Sequence, residues 1–458
     1  MDRVLNGLRP EKVFYYFEEI SRIPRGSGNE KQISDYLYNL AKGKGWEVIQ
    51  DDALNVIIKK PATKGYENAP VVMLQGHMDM VCEKNEGIEH DFEKDPIKLR
   101  VIDDYIYATE TTLGADNGIA VAYALAILDS DDLSHPALEV LITTDEEMGM
   151  TGAEKVDGSL FKSKYLLNLD SEEEGIFTSG CAGGCKVVFK IPLEYQDTEK
   201  DGYKIIVKGL QGGHSGVDVK KERGNANKIL GRVLYDLIDE TDLVTIEGGS
   251  KTNAIPREAS AVVTLENKEE VQKKIANWNN ILQNEFSFTD PSVNVVLENI
   301  NAKVKPIEKE LYKKILVAIN NIPSGILSSS TVIDLTISSN NLGVIQTENN
   351  TIYLHNNSRS SVESLLTHGL APAMKQLGDA LGFECEIGGF YPGWEYAKHS
   401  PLRDICLATY KEIYNEEAKV EAIHAGLECG LLMGKIEGLD AISLGPNTYD
   451  VHSPNEHV

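Results

Sequence analysis

Hydrophobic and polar positions give the chain two different patterns. In the first part and again near the end, short apolar runs alternate with longer helical patterns such as Asp116–Leu128. Mostly apolar runs of this length are typical of strands that are buried on both faces. The alternation predicts an α/β fold with a doubly wound, mostly parallel sheet. The apolar runs are Val71–Leu74, Leu138–Thr143, Tyr165–Leu169 and Ala441–Leu444.

The middle of the chain has a different pattern. Segments such as Tyr203–Val207 and Ala259–Leu265 alternate apolar and polar residues, and helical patterns lie among them. Glycine-rich segments at 179–184 and 388–393 stand at its two ends, as expected where a chain leaves one domain and returns to it. We therefore predict an inserted α+β domain at 185–389 within a discontinuous first domain.

Composition and charge exclude several classes of protein. The 458 residues carry a formal net charge of −26, and an acidic surface repels phosphate, so neither nucleic acid nor a membrane is an expected partner. The most apolar stretch, Gly118–Leu128, is much shorter than the about 20 residues of a membrane span. The six cysteines are dilute and no export signal opens the chain, which favours reduced thiols and a cytoplasmic protein.

Polar side chains follow the predicted strands at the points where the strands end. In an open α/β sheet the ligand site forms outside the carboxyl ends of the strands, so these side chains should meet in one crevice. His77 and Asp79 are two residues apart and face the same side of an extended chain. The polar residues at these positions are His77, Asp79, Asp116, Asp145, Glu146, Glu147, Asp170, Asp450 and His452.

So many carboxylates in a small volume repel one another unless a cation compensates them. Any one of these motifs alone is more often a solvated loop end, but five strand or helix ends of this kind together favour a metal site. Two histidines with three or four carboxylates suit Zn, Mn or Co better than Ca or Mg.

Four motifs carry a resemblance to a known family. They are HMDMV at 77–81, LGADNG at 113–118, TDEE at 144–147 and NLD at 168–170. Together they resemble the M20 co-catalytic metallopeptidases. Further segments at 212–216, 253–257, 424–430 and 452–454 make the chain most similar to the carnosinase-like branch of aminoacyl-histidine (Xaa-His) dipeptidases. The resemblance implies a catalytic domain at 1–184 and 390–458 and a lid domain at 185–389. Only six residues follow His452, so we expect the second part of the catalytic domain to be truncated.

The resemblance also implies a set of metal ligands for two divalent ions, with zinc the first expectation and cobalt or manganese as alternatives. Asp116 would bridge the two ions. His77 and Asp170 would complete the ligands of one ion, and Glu147 and His452 those of the other.

Two further acidic residues would act beside the metals. Glu146 would be the general base, and Asp79 would hold the ring of His77. We expect only one carboxylate of the Glu146–Glu147 pair to bind metal, because neighbours in an extended segment point in opposite directions. The implied reaction is hydrolysis by a water molecule activated by two metals, with Glu146 moving its proton.

The predicted lid carries the residues that would bind substrate. His214 lies in the glycine-rich segment 209–216, which suggests a mobile loop, and the resemblance makes it an oxyanion donor. Arg359 would clamp the C-terminal carboxylate of a peptide, with Asn253 assisting. His424 and Glu428 match the branch motif, yet at a spacing of four they are also compatible with one buried helix face, so they receive no role.

The predicted substrate is a short unblocked peptide. A carboxylate clamp on one domain and metals on the other imply a dipeptide, and the branch suggests Xaa-His dipeptides including β-alanyl-histidine. A deacylase of N-acyl amino acids or an aminotripeptidase on the same site remains an alternative. A non-catalytic peptide-binding relative is disfavoured by the intact Glu146. The sequence leaves open the native metal and whether the lid serves a homodimer.

Overall fold

The computed structural model describes residues 3–331 and 335–458. These residues form two compact units. The first consists of 3–180, 396–422 and 427–458, and the second of 181–331, 335–395 and 423–426. The domain limits expected at 184/185 and 389/390 lie close to these transitions and stay a prediction.

The described residues form both helices and strands, and each kind of element is numbered in chain order. The α-helices are α1 Glu11–Ser21, α2 Lys31–Gly43, α3 Ala115–Leu128, α4 Glu146–Gly149, α5 Thr151–Lys155, α6 Ala226–Asp236, α7 Lys268–Glu285, α8 Lys309–Asn321, α9 Ala371–Leu381, α10 Pro401–Tyr414 and α11 Glu428–Lys435. The strands are β1 Glu47–Gln50, β2 Val56–Lys60, β3 Val72–His77, β4 Leu99–Ile102, β5 Tyr105–Ala108, β6 Leu138–Thr143, β7 Tyr165–Asn168, β8 Ile176–Cys181, β9 Gly183–Pro192, β10 Lys200–Lys208, β11 Gly213–His214, β12 Thr241–Gly248, β13 Ala254–Ile255, β14 Ala259–Leu265, β15 Asn294–Val304, β16 Gly325–Ser329, β17 Thr336–Glu348, β18 Thr351–Ser360, β19 Glu384–Tyr391, β20 Lys419–Ile423 and β21 Asp440–Ser443.

A mixed sheet is the framework of the first unit. Its described strands follow the order β1-β2-β6-β3-β7-β21-β8-β20, and the central strands β6, β3, β7 and β21 run parallel. Antiparallel pairs extend this parallel centre on both sides. Every residue of β6 is buried, including Glu139, as the mostly apolar run predicts for a strand covered on both faces.

Alternate residues of the central strands enter different hydrophobic layers. Val140 and Ile142 pack with helices α1 to α3, whereas Leu141 between them is also fully buried but lies outside that cluster. The predicted doubly wound α/β class is thereby confirmed. Because the central strands are parallel, their carboxyl ends share one edge of the sheet, where β3 ends at His77 and β7 ends two residues before Asp170.

The second unit is an antiparallel α+β structure. Its large sheet follows the order β15-β10-β14-β12-β17-β18-β9-β19, with β16 paired to β17. Apolar residues of α6, α8 and α9 join alternate residues of the strands in one hydrophobic cluster. The alternation read from the sequence is therefore the alternation of a sheet with one buried face. Among the described residues, no helix combines the length and apolar character that crossing a bilayer requires.

Candidate active site

His77, the last residue of β3, lies at the centre of an acidic cluster in the first unit. Its Nε2 atom is 3.1 Å from Asp116 Oδ1 and 3.4 Å from Asp170 Oδ1. Its Nδ1 atom is 3.3 Å from Asp79 Oδ1. The two ring nitrogens therefore have different partners, and Asp79 is placed where it can fix the orientation of the ring.

Asp116 faces two histidines at once. Its Oδ1 atom approaches His77, while its Oδ2 atom is 3.2 Å from Nε2 of His452. The same His452 nitrogen is 3.1 Å from a carboxylate oxygen of Glu147. The first turn of α3 is irregular at this point, since Asp116 and Asn117 have non-helical backbone angles.

The donor atoms form three overlapping groups among the described residues. Within each group the ligand atoms lie within 4.8 Å of one another. Asp116 belongs to two of the groups, and Glu146 occurs only in the group without Asp116. The structure thus brings the five predicted metal ligands together in two sets that share Asp116. The groups are His77–Asp116–Asp170, Asp116–Glu147–His452 and His77–Glu146–Glu147.

The electrostatics of the cluster fit a cation. Burial alone would lower the pKa of His77, but Asp170, Asp116 and Asp79 outweigh it and raise that pKa well above its usual range. Hydrogen bonds with Asp116 and Glu147 raise the pKa of His452 to about 11. Protons held so firmly compensate the surrounding carboxylates, and divalent ions binding to these nitrogen and oxygen donors would displace them.

Glu146 and Glu147 do not continue β6. The expectation of an extended segment is wrong, because β6 ends at Thr143 and Asp145 has a positive φ of 56° before the helical turn α4 begins. The carboxylate of Asp79 accepts hydrogen bonds from the backbone N–H groups of Glu146 at 3.1 Å and Glu147 at 3.3 Å. Burial raises the pKa of the Glu146 carboxyl well above its usual range, which favours a proton acceptor of high affinity.

Glu428 receives a structural explanation that the sequence did not provide. The predicted alternative of one helix face shared with His424 is wrong, because α11 begins only at Glu428. The buried Glu428 carboxylate accepts hydrogen bonds from Gln75 Nε2 and from Thr143 Oγ1, the latter at 2.7 Å. Asn168 donates to Gln75 in turn. These bonds connect β3, β6 and β7, the strands that precede the acidic cluster.

The second unit contains a separate basic cluster around His214. His214 lies on the two-residue strand β11, which pairs with β13, and the suggested mobility of its glycine-rich segment stays a prediction. The backbone N–H of Val217 donates to His214 Nδ1 at 3.0 Å, so the ring proton belongs on Nε2. Burial, with a contribution from Arg359, lowers the pKa of His214 to about 4. The ring is therefore neutral at physiological pH and presents an N–H donor.

Arg359, on β18, presents its guanidinium to the same place. Its Nη2 atom is 3.5 Å from Nε2 of His214, and its Nη1 atom donates to the hydroxyl of Tyr391 at 3.0 Å. Its buried Nε atom has no hydrogen-bond partner among the residues that the structure describes. Two donors that face each other at 3.5 Å can both be satisfied by one anionic oxygen placed between them.

His424 and Asn253 lie near this cluster in different ways. His424 Nε2 is 2.7 Å from Ser339 Oγ, and burial followed by the charge of Arg359 lowers the pKa of His424 to about 4. Asn253 lines a cavity of about 400 Å³ together with His214. Neither Ser339 nor Tyr391 is recognisable from the sequence, because single polar residues within long strands carry no local signal.

Overlapping carboxylate–histidine groups with a glutamate beside them are typical of the active site of a metal-dependent hydrolase. Residues 73–458 match the family model described as peptidase family M20/M25/M40. The chain therefore belongs to this peptidase family and is a metallopeptidase.

Individual relatives support the same conclusion. The chain is 38% identical to the cytosol non-specific dipeptidase of Escherichia coli over 99% of its own length and 95% of that protein. It is also similar to the crystal structure of aminoacylhistidine dipeptidase from Vibrio alginolyticus, with a TM-score of 0.88, 36% identity and coverage of 99% and 94% of the two chains. The aminopeptidase PepT from Bacillus cereus shares the fold at a TM-score of 0.55 and 18% identity, with 98% and 93% covered.

Proposed function

We propose that this metallopeptidase is a dipeptidase that hydrolyses short unblocked peptides with two divalent metal ions. The observation that carries the proposal is the pair of donor groups that share Asp116, with Glu146 outside both. The names of the two similar relatives, both dipeptidases, support the substrate class. The cytosol location in the name of one relative supports a cytoplasmic enzyme.

The residues of each donor group have complementary tasks. His77 and Asp170 would hold one ion and Glu147 and His452 the other, with Asp116 between them. Divalent ions in these positions would acidify a water molecule and polarise the scissile carbonyl. Zinc suits the mixture of imidazole and carboxylate donors, and manganese or cobalt are the alternatives.

Glu146 would move the proton of the reaction. It is close to the ligands His77 and Glu147 but outside both groups that contain Asp116, so its carboxylate is available to take a proton from the attacking water. The same carboxyl group then gives that proton to the leaving amine. Asp79 contributes indirectly, because it contacts the His77 ring and fixes the turn that carries Glu146.

We propose that the basic cluster of the second unit recognises the substrate. Arg359 would bind the C-terminal carboxylate, and the neutral N–H donor of His214 would stabilise negative charge that develops on the carbonyl oxygen. The unpartnered Nε atom of Arg359 and the 3.5 Å approach of two donors support an anion-binding role. Asn253 would assist from the cavity beside His214.

The narrower preference is a separate part of the proposal. One relative is named non-specific and the other is named for aminoacyl-histidine. We propose that Xaa-His dipeptides, including β-alanyl-histidine, are among the substrates.

A substrate panel tests this function. The metal-stripped protein is reloaded with Zn, Mn or Co and assayed on free dipeptides, Xaa-His dipeptides, tripeptides and N-acyl amino acids. We expect dipeptides to have the highest kcat/KM. Faster cleavage of N-acyl amino acids would identify a deacylase, and faster cleavage of tripeptides would identify an aminotripeptidase. Equal rates on Xaa-His and other dipeptides would support the dipeptidase assignment and contradict a preference for histidine.

A further inference from the structure

Glu456 is a buried carboxylate that the proposed reaction does not use. The residue is 2% exposed. Its Oε2 atom accepts hydrogen bonds from the backbone N–H groups of Leu113 at 2.8 Å and Gly114 at 3.0 Å, and its Oε1 atom accepts one from the N–H of Asp116 at 3.2 Å. Both oxygens are thus occupied by the backbone of the loop that carries the shared ligand.

Arg25 holds the same loop from its carbonyl side. Its Nη2 atom donates to the carbonyl of Gly114, and its Nη1 atom donates to the carbonyls of Met78 at 3.0 Å and Asp79 at 3.3 Å. The guanidinium therefore joins the loop before Asp116 to the turn that follows His77. The arginine is itself buried, which disfavours its charge, and the carboxylates of Glu456 and Asp79 offset part of that effect.

The glycines of the LGADNG motif make room for this arrangement. A Cβ atom added to Gly114 or to Gly118 would lie 2.5 Å from Nη2 of Arg25. Gly114 also has a φ of 70°, a backbone angle that residues with a side chain rarely adopt. The loop is therefore shaped around Arg25 on one side and held by Glu456 on the other.

We propose that Glu456 and Arg25 are positioning residues for Asp116. Neither needs to touch an ion or the substrate. Together they fix the backbone of Asp116 relative to His77, and this geometry determines whether one carboxylate can serve both donor groups. The inference rests on the proposed function, because it takes Asp116 as a metal ligand.

The substitution Glu456→Gln tests the role with little change of shape. An amide nitrogen cannot accept a hydrogen bond, so the variant places an NH₂ group against at least one backbone N–H. Glu139 offers a matched control, since this buried glutamate also accepts backbone hydrogen bonds through both oxygens, from Lys162 and Ser163, and lies near the start of β6, away from the acidic cluster.

The affinity of the metal-stripped proteins for Zn²⁺ is measured by competition with a chelator, and the unfolding temperature is measured without metal. We expect both variants to lower the unfolding temperature. Only Glu456→Gln should weaken Zn²⁺ binding, by about 10- to 100-fold, the usual effect of removing a residue that orients metal ligands. Glu139→Gln should remain within about threefold of the wild type.

The outcomes separate the inference from the function beneath it. The positioning role would be overturned if Glu456→Gln bound Zn²⁺ as tightly as the wild type, or if Glu139→Gln lost as much Zn²⁺ affinity as Glu456→Gln. The proposed function would stay intact in both cases as long as the wild type binds two ions. A wild type that binds none of Zn²⁺, Mn²⁺ and Co²⁺ would instead remove the proposed function. If Glu456→Gln does not fold, Arg25→Lys takes its place, because one ammonium cannot reach the carbonyls on both sides as the guanidinium does. The same loss of affinity is then expected, and its absence would overturn the inference.

Discussion

The two units of the molecule contain clusters of opposite electrostatic character. In the first unit, carboxylates surround His77 and His452 and raise the pKa of each histidine. In the second unit, burial and the neighbouring Arg359 lower the pKa of His214 and of His424 to about 4. The same side chain is therefore driven toward opposite protonation states by its surroundings.

The two protonation states indicate which ligand each cluster can bind. A cluster whose histidines retain their protons among carboxylates has an excess of negative charge without those protons, and it therefore suits metal ions. A group whose histidines stay neutral beside a buried guanidinium presents N–H donors and suits an anionic oxygen. The chemistry of a histidine in this protein follows from its neighbours, and each cluster can be tested through them.

The largest effect is expected from Asp116→Ala in the acidic cluster. The wild type should bind two divalent ions per chain, and the variant should lose both, because both donor groups share this residue. Elemental analysis after gel filtration measures the stoichiometry. The exposed-loop variant Asp157→Ala should keep both ions. Loss of a single ion in Asp116→Ala would show that the two groups do not depend on one bridge.

Glu146→Gln should separate metal binding from turnover. We expect the metal content to persist while kcat falls by about 100-fold or more, the usual scale for a general base. Parallel measurement of metal content and kcat in Glu146→Gln and Glu147→Gln provides the check. If Glu146→Gln loses metal and Glu147→Gln keeps it, the roles of these two residues are exchanged.

In the basic cluster, a smaller effect is expected from the substrate carboxylate. Amidating the C-terminus of a dipeptide removes a hydrogen bond to a charged group, worth about 1.5–3 kcal/mol, so kcat/KM should fall at least about tenfold. Arg359→Ala should lose much of this discrimination between free and amidated peptides. Comparable wild-type rates on both peptides would exclude recognition of the carboxylate and favour a broader aminopeptidase.

The smallest effect is expected in the pH dependence of stability. The pKa of His424 is about 4 in the folded protein, below the usual value of 6.5, so only the unfolded chain takes up this proton as pH falls from 6.5 toward 4. Stability contributed by the neutral ring is present above pH 6.5 and decreases through that window. The drop in unfolding temperature between pH 7 and pH 5 should be smaller in His424→Gln than in the wild type. The exposed His368→Gln is the control, and equal drops in all three proteins would contradict the assignment.

Much of the fold and of the acidic cluster could be predicted from the sequence. Buried parallel strands are recognisable as short, mostly apolar runs, and their carboxyl ends meet at one edge of a sheet. Residues immediately after such runs, including His77 and Asp170, are therefore expected to converge, and the structure places their side chains within contact distance. The ligand roles themselves came from the family resemblance and stay proposals.

Other features depended on contacts between distant parts of the chain. The segment at Glu146 is a turn and not the predicted extended segment. The backbone N–H of Glu146 donates to the carboxylate of Asp79, which lies 67 residues away in the sequence. Glu428 accepts from Gln75 across 353 residues, and Glu456 reaches Leu113 across 343. No local sequence pattern predicts a hydrogen-bond partner at such a distance along the chain.

Residue type, strand periodicity and strand ends are local properties, so the chemistry available to this protein can be read from its sequence. The pKa and the orientation of each group depend on contacts that form only when the chain folds. A pKa depends on the burial and charges that surround a side chain in space, and a loop is fixed by whichever donors and acceptors fold against it. His77 and His214 have the same side chain. Their surroundings in the fold raise the pKa of His77 among carboxylates and lower the pKa of His214, which is a neutral donor beside an arginine.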